Sequence, residues 1–172
     1  MITALITGAN GFIGKNLQVA LKEHGCEVLL FSHTDSPSSL IKMVQSADII
    51  YHLAGVNRPI SDDEFALGNT DFTTRLIEII VEHNPQTRLI YSSSVQAEKD
   101  NAYGRSKLAA EKIIFNAVAS SNLNPCVYRL PGVFGKWCRP NYNSVVATFC
   151  HNVVHGFDLR IDAPDHQLEL VY

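Results

Sequence analysis

Tyr103 and Lys107 stand four residues apart in the run Asn101-Ala102-Tyr103-Gly104-Arg105-Ser106-Lys107, and a serine triplet, Ser92-Ser93-Ser94, lies just upstream. Four residues is close to one helical turn, so on a helix the phenol and the ammonium share a face. A phenol is a poor acid or base near neutrality because its unperturbed pKa is about 10. An ammonium held close to it favours the phenolate and lowers that value. A serine hydroxyl can orient the oxygen that gains or loses the proton. Together the three groups suit proton transfer at a carbonyl or an alcohol, the step that accompanies hydride transfer.

A hydride needs a carrier, and the N-terminus supplies a cradle for one. Thr7-Gly8-Ala9-Asn10-Gly11-Phe12-Ile13-Gly14 follows a short apolar run and opens a helical pattern, with glycines spaced G-x-x-G-x-x-G. Small residues keep such a turn tight and let the backbone approach a pyrophosphate, which the helix N-terminus stabilises. The cradle is thus predicted at Gly8, Asn10, Gly11, Phe12, Ile13 and Gly14. Where a second strand should end in an acid that holds the ribose hydroxyls of NAD, the chain reads Phe31-Ser32-His33-Thr34, with no carboxylate until Asp35. The missing acid removes repulsion against a 2′-phosphate, and Ser32, His33 and Lys15 could donate to one, so NADPH is expected over NAD. A third strand ends in Leu53-Ala54-Gly55, small enough to lie under a cofactor. His52 is expected to pack rather than carry protons, and Asn69 to pack or bridge backbone. Asn57 and Arg58 follow in a loop and could touch substrate.

These residues require a frame. Strands are predicted at Ala4–Thr7, Glu27–Phe31, Asp48–Leu53, Arg88–Ser92 and Pro125–Arg129. Helices are predicted between them at Phe12–His24, Ser38–Gln45, Asp63–His83 and Tyr103–Ala119. Continuous apolar runs such as Val28-Leu29-Leu30-Phe31 suit strands covered on both faces, as a parallel sheet requires. The alternation argues for an α/β doubly wound parallel sheet. After Gly135 comes a polar, aromatic-rich loop, then a helix at about Ser144–His155 and strand-like runs at 159–161 and 168–172. The apolar end at Tyr172 is read as a cut in a longer protein, with residues 133–172 the start of a substrate-binding region.

With 172 residues, 46% hydrophobic content and a net charge of −3, the chain suits one cored domain and lacks the basic surface that nucleic acid or an anionic membrane demands. No signal peptide or bilayer-spanning run is visible, and a cytoplasmic protein is expected. Cys26, Cys126, Cys138 and Cys150 show no CxxC spacing, and His151 and His155 lack the glutamate of an HExxH motif, so no metal site is expected.

The glycine loop, His52-Leu53-Ala54-Gly55, the serine triplet and Tyr103-x-x-x-Lys107 together resemble the extended short-chain dehydrogenase/reductases. That resemblance implies a Rossmann-type domain, with Tyr103 as acid/base, Lys107 on the nicotinamide ribose, and Ser94 on the reacting oxygen with Ser93 in reserve. It also places Ser92 and Leu130 beside the cofactor, and suggests a homodimer through the helices at 63–83 and 103–119. Two departures stand out: Ser94 and Tyr103 are unusually close, and the segment between the second and third strands omits a strand–helix unit. Val56-Asn57-Arg58-Pro59, Glu64 to Asn69 and the block Phe134 to Ser144 further resemble the reductase half of CapF/WbjC-type enzymes, which join it to a cupin and make UDP-N-acetyl-L-fucosamine. This implies NADPH-dependent reduction at C4 of a UDP-4-keto-6-deoxy-N-acetylamino sugar, with Asn57, Arg58, Lys136, Arg139 and Asn143 as contacts to the UDP-sugar. The alternatives are an NAD-dependent nucleotide-sugar epimerase and an inactive dinucleotide-binding module. A dehydratase is disfavoured because Val95-Gln96 stands where an Asp-Glu pair belongs.

Overall fold

The computed structural model describes every residue but Ile60 and Asp62 and, beyond those two, every side chain but those of Asp63 and Ala66. In chain order it forms β1 (Thr3–Thr7), α1 (Phe12–Glu23), β2 (Glu27–Phe31), α2 (Pro37–Ser46), β3 (Ile49–His52), α3 (Asp63–Phe65), a π-helical turn (Ala66–Asp71) and α4 (Phe72–His83). Then come β4 (Arg88–Ser94), a 3₁₀ turn (Val95–Glu98), α5 (Ala102–Ser120), β5 (Asn124–Leu130), β6 (Gly132–Val133), α6 (Val145–His155) and β7 (Leu170–Val171).

Five strands make one sheet in the order β2-β1-β3-β4-β5. Strand β1 runs parallel to β2 and β3, and β3 runs parallel to β4. The chain leaves β1 in one direction and returns past it in the other. Right-handed crossovers then put α1 on one face and α2, α4 and α5 on the opposite face, where α4 packs against both α2 and α5. The core between that helical layer and the sheet contains Leu5, Ile50, Leu76, Ile80, Leu89, Tyr91 and Ile114. The architecture is the parallel, Rossmann-like α/β sheet that the sequence rhythm implied.

Local chemistry explains the element ends. Ser36 accepts a hydrogen bond from Ser39 N and Pro37 pre-sets the first turn of α2. Asn101 Oδ1 accepts from Gly104 N at 2.8 Å and starts α5. The buried residues of α5 are Gly104, Ser106, Lys107, Ala110, Glu111 and Ile114. Their spacing of three and four defines a single stripe, and two of them are charged.

Three expectations are corrected. The uniform helix predicted over Asp63–His83 contains a π turn at Ala66–Asp71, where the Asn69 side chain bonds outward to Val56 and Ser106. Residues 159–161 form no strand. Residues 170–171 do form one, but as a two-residue parallel pair with Gly132–Val133.

The chain divides into two compact units, Met1–Arg129 and Leu130–Tyr172. In the second, Ser144 accepts from Ala147 N to start α6, and Gly156 ends it in the left-handed region.

Candidate active site

Phe31, Thr7, His52 and Tyr91 lie in register across β2, β1, β3 and β4. This row is near the carboxyl ends of the strands, where ligands bind in open α/β sheets. Thr7 Oγ1 and His52 Nδ1 are 2.8 Å apart, and His52 Nε2 and Thr73 Oγ1 are 2.9 Å apart. Thr73 Oγ1 donates its proton to the Asn69 carbonyl, so it accepts from His52 and Nε2 carries the hydrogen. Nδ1 is then the acceptor for the Thr7 hydroxyl, which itself accepts from Ala54 N. Burial, with a smaller push from Lys107, lowers the His52 pKa to about 3. His52 is therefore a neutral imidazole joining the glycine-loop strand to the start of α4.

The π turn delivers Asn69. Its Oδ1 accepts from Val56 N at 2.7 Å, while Nδ2 donates to Val56 O and to Ser106 Oγ, both at 2.9 Å. Ser106 in turn donates to the Tyr103 carbonyl. Asn69 thus ties the chain after β3 to the first turns of α5.

The side chains of Tyr103 and Ser94 are hydrogen-bonded, and the Tyr103 ring packs against Phe65. Burial raises the phenol's pKa, and the Ser94 bond opposes this. The lowering expected from the Tyr/Lys spacing is therefore corrected: in the folded chain desolvation wins. Lys107 is buried and donates to Ser92 O at 2.9 Å and Tyr91 Oη at 3.3 Å, with its ammonium 4.8 Å from the Tyr91 ring centre. Burial lowers its pKa to about 8, and Glu111 works against that shift.

Ser93 and Ser94 are separated by strand alternation. Ser93, the reserve candidate, donates to Glu111 Oε1 in the interior and is not available to a substrate oxygen. Gly104 accounts for the short path from Ser94 to Tyr103. A Cβ there would sit 2.1 Å from Gln96 O and 2.5 Å from Lys99 O, so only glycine lets the 3₁₀ turn rest directly on α5.

Beside this group lies a cleft of about 570 Å³ lined by Gly8, Asn10, Gly11, Phe31, Ser32, His33, Leu53, Ala54, Gly55, Val56, Leu67, Gly68 and Phe72. Gly8 has φ +70°, and a Cβ there would come within 2.6 Å of Ala54 N. The start of α1 carries no side-chain cap. A tight glycine turn and an uncapped helix N-terminus fit a dinucleotide pyrophosphate. Phe12, Ile13 and Gly14 form the first turn of α1. The Ser92 carbonyl holds Lys107.

Sequence reading missed Phe31, Val56, Leu67, Gly68 and Phe72 as cleft residues; Leu67 and Gly68 lie in the π turn, which the expected uniform helix did not contain. It also missed Glu111, although a carboxylate one helical turn beyond Lys107 was the available signal. Asp35 is a further surprise. Its Oδ2 accepts from Ser32 N at 2.7 Å and from Ser32 Oγ at 3.0 Å, so a carboxylate returns to the end of β2.

Asn57 and Arg58 are exposed after β3. Leu130, Lys136, Arg139 and Asn143 belong to the second unit. There the Lys136 ammonium lies 4.6 Å from the Trp137 ring centre and the Arg139 guanidinium 5.4 Å from that of Tyr142.

Residues 4–162 match the NAD dependent epimerase/dehydratase family. The chain belongs to that family. It is 46% identical over 169 residues to a UDP-2-acetamido-2,6-beta-L-arabino-hexul-4-ose reductase of Pseudomonas aeruginosa, a match that covers 98% of this chain and 45% of the relative. The capsular polysaccharide assembling protein CapF from Staphylococcus aureus superposes with a TM-score of 0.86 at 34% identity, over 99% of this chain and 45% of that one. MoeE5, solved with UDP-glucose and NAD, shares the fold with a TM-score of 0.78 at 24% identity, over 90% of this chain and 62% of its own. The chain spans about half the length of the curated relatives it matches.

Proposed function

We propose that the protein carrying this chain is an NADPH-dependent reductase acting at C4 of a UDP-4-keto-6-deoxy-N-acetylamino sugar. The product would be the L-talo sugar, used for capsule or O-antigen synthesis in the cytoplasm. What supports this reading is the hydrogen bond between Ser94 and Tyr103 together with the Lys107 ammonium lying against Gly55, a residue of the glycine-loop cleft. The named activity of the 46% identical relative supports the substrate class.

NADPH, when bound, would supply the hydride. Gly8, Asn10, Gly11 and Gly14 would hold its pyrophosphate, and Leu53, Ala54 and Gly55 would lie along it. His33 lines the cleft and would face the 2′-phosphate, which would have to displace the Asp35 carboxylate from Ser32. Tyr103 would give its proton to the C4 oxygen. Its raised pKa suits an acid that stays protonated until the oxygen gains charge. Ser94 would orient that oxygen, and Lys107 would hold the ribose. Asn57, Arg58, Lys136, Arg139 and Asn143 are proposed contacts of the UDP-sugar. Residues 133–172 are proposed as the start of its binding region within a longer protein. A homodimer through α4 and α5 is also proposed, supported by exposed Val81, Phe115 and Val118.

The test is Tyr103→Phe in the intact protein. It should bind NADPH with wild-type affinity, and bind it more tightly than NADH, while reduction of the keto sugar falls at least about a hundredfold. Turnover near wild type would overturn the assignment of Tyr103.

A further inference from the structure

The buried stripe of α5 carries a second charge that the proposed chemistry does not use. Glu111 sits one turn beyond Lys107, is 3% exposed, and is held on several sides. Arg129 of β5 donates to it from Nε at 3.0 Å and from Nη2 at 2.7 Å, and Ser93 of β4 donates to Oε1. Arg129 also reaches Glu98 of the 3₁₀ turn through Nη1 at 2.7 Å. Two carboxylates thus share one guanidinium, and the trio keeps one net negative charge with Glu111 as its buried end.

Among the described residues, the other groups that face Lys107 from its own helix and the elements around it are neutral. From β4 come the Ser92 carbonyl and Tyr91, whose phenol burial keeps protonated. From β3 comes His52, held neutral by burial. From the π turn comes Asn69, whose Oδ1 flanks the same Gly55 position as the Lys107 ammonium. On α5 itself are Tyr103, kept protonated by burial, and Glu111. An ammonium enclosed by neutral dipoles tends to shed its proton unless a negative charge compensates.

We propose that Glu111 is a positioning residue that acts as the counter-charge of Lys107, keeping its ammonium charged inside the fold so that it can hold the ribose and serve Tyr103. This rests on the reading of Lys107 given above. Arg129 and Ser93 fix the carboxylate, so its distance from Lys107 does not depend on a mobile side chain.

The experiment compares the pH dependence of turnover and of NADPH affinity in the intact protein and its variants. Glu111→Gln can still accept from Ser93 and Arg129, and Arg129 keeps Glu98, so no charge is stranded. Its alkaline limb should move down by about one pH unit, leaving a loss at pH 8 that largely disappears at pH 6.5. Glu111→Asp should restore most of the limb. Arg129→Gln leaves Glu111 less neutralised and should move the limb upward. Opposite shifts follow from charge and not from a loosened packing site. If the limbs of Glu111→Gln and wild type coincide while rates fall equally at every pH, the carboxylate is only a structural clamp. Should Glu111→Gln fail to fold, Arg129→Gln decides alone, and a limb that does not rise overturns the proposal. The NADPH-affinity limb also separates the two readings. A protein that reduces no keto sugar refutes the proposed function, while the binding shift still decides the role of Glu111.

Discussion

The two neighbouring serines at the end of β4 have the same chemistry and different fates. Ser94 reaches Tyr103, whereas Ser93 is spent on Glu111. Replacing each with alanine separates the roles. Ser94→Ala should cost turnover about a hundredfold, because it removes the hydroxyl proposed to orient the reacting oxygen. Ser93→Ala should mainly lower stability, by about 1 kcal/mol, because it deletes one buried hydrogen bond to a charged group that Arg129 still satisfies. Steady-state rates and denaturant midpoints of the two variants check this. Equal losses of turnover would contradict the division. Asp35 makes a similar point about single residues. Its position in sequence, beyond the strand end, hides that its carboxylate folds back onto Ser32.

At the scale of elements, the placement of Tyr103, the proposed acid, depends on how closely α5 approaches the 3₁₀ turn that follows β4. Gly104 permits that approach, and Asn101 fixes where the helix begins. Gly104→Ala forces its new methyl into two backbone carbonyls, which cannot rotate away as a side chain could. Overpacking of this kind costs about 1–3 kcal/mol. The shift that relieves it must separate Ser94 from Tyr103. The expected result is a lower melting temperature together with a turnover loss larger than any loss of NADPH affinity. A variant with a lowered melting temperature and a wild-type rate would show that the turn does not position Tyr103. The π turn works in the same way: an uninterrupted α-helix over 63–83 would rotate Asn69 relative to Val56 and break the bridge between β3 and α5.

Across the whole first unit, the buried row Phe31–Thr7–His52–Tyr91 joins four strands beneath the site. Phe72 of α4 covers it, stacked on Phe31 with ring centres 5.8 Å apart and set edge-on to His52. The neutral state of His52 links this row to pH. The folded pKa of about 3 is depressed from the model-peptide value of 6.5, so below 6.5 the unfolded chain binds the extra proton first. The stability contribution is fully present above pH 6.5 and is lost as pH falls from there toward 3. Each pH unit well inside that window removes about 1.4 kcal/mol. Between pH 6.5 and 5, before most carboxylates titrate, the urea midpoint should fall measurably. His52→Gln, whose amide can accept from Thr7 and donate to Thr73, should flatten that dependence even if it lowers the midpoint at pH 7. An undiminished slope in the variant would place the titrating group elsewhere.

Much of this design was legible in the chain itself. The glycine loop, the strand–helix alternation and the Tyr103/Lys107 spacing depend on local stereochemistry and period, which sequence states directly. They pointed to the parallel sheet, the glycine turn that opens α1 and the helix that carries Tyr103 and Lys107. Other features depend on partners distant in sequence. Tyr103 is raised rather than lowered because burial outweighs its neighbours, and spacing on one helix says nothing about desolvation. Glu111 meets Arg129 from eighteen residues further on, and Asn69 meets Ser106 across thirty-seven. Which serine faces the site was set by strand alternation at a boundary two residues later than the sequence implied. Local pattern determined which groups are present. Only the packed sheet and helices decided which are dry, which are charged and which touch, because desolvation and close contact are properties of the assembled interior.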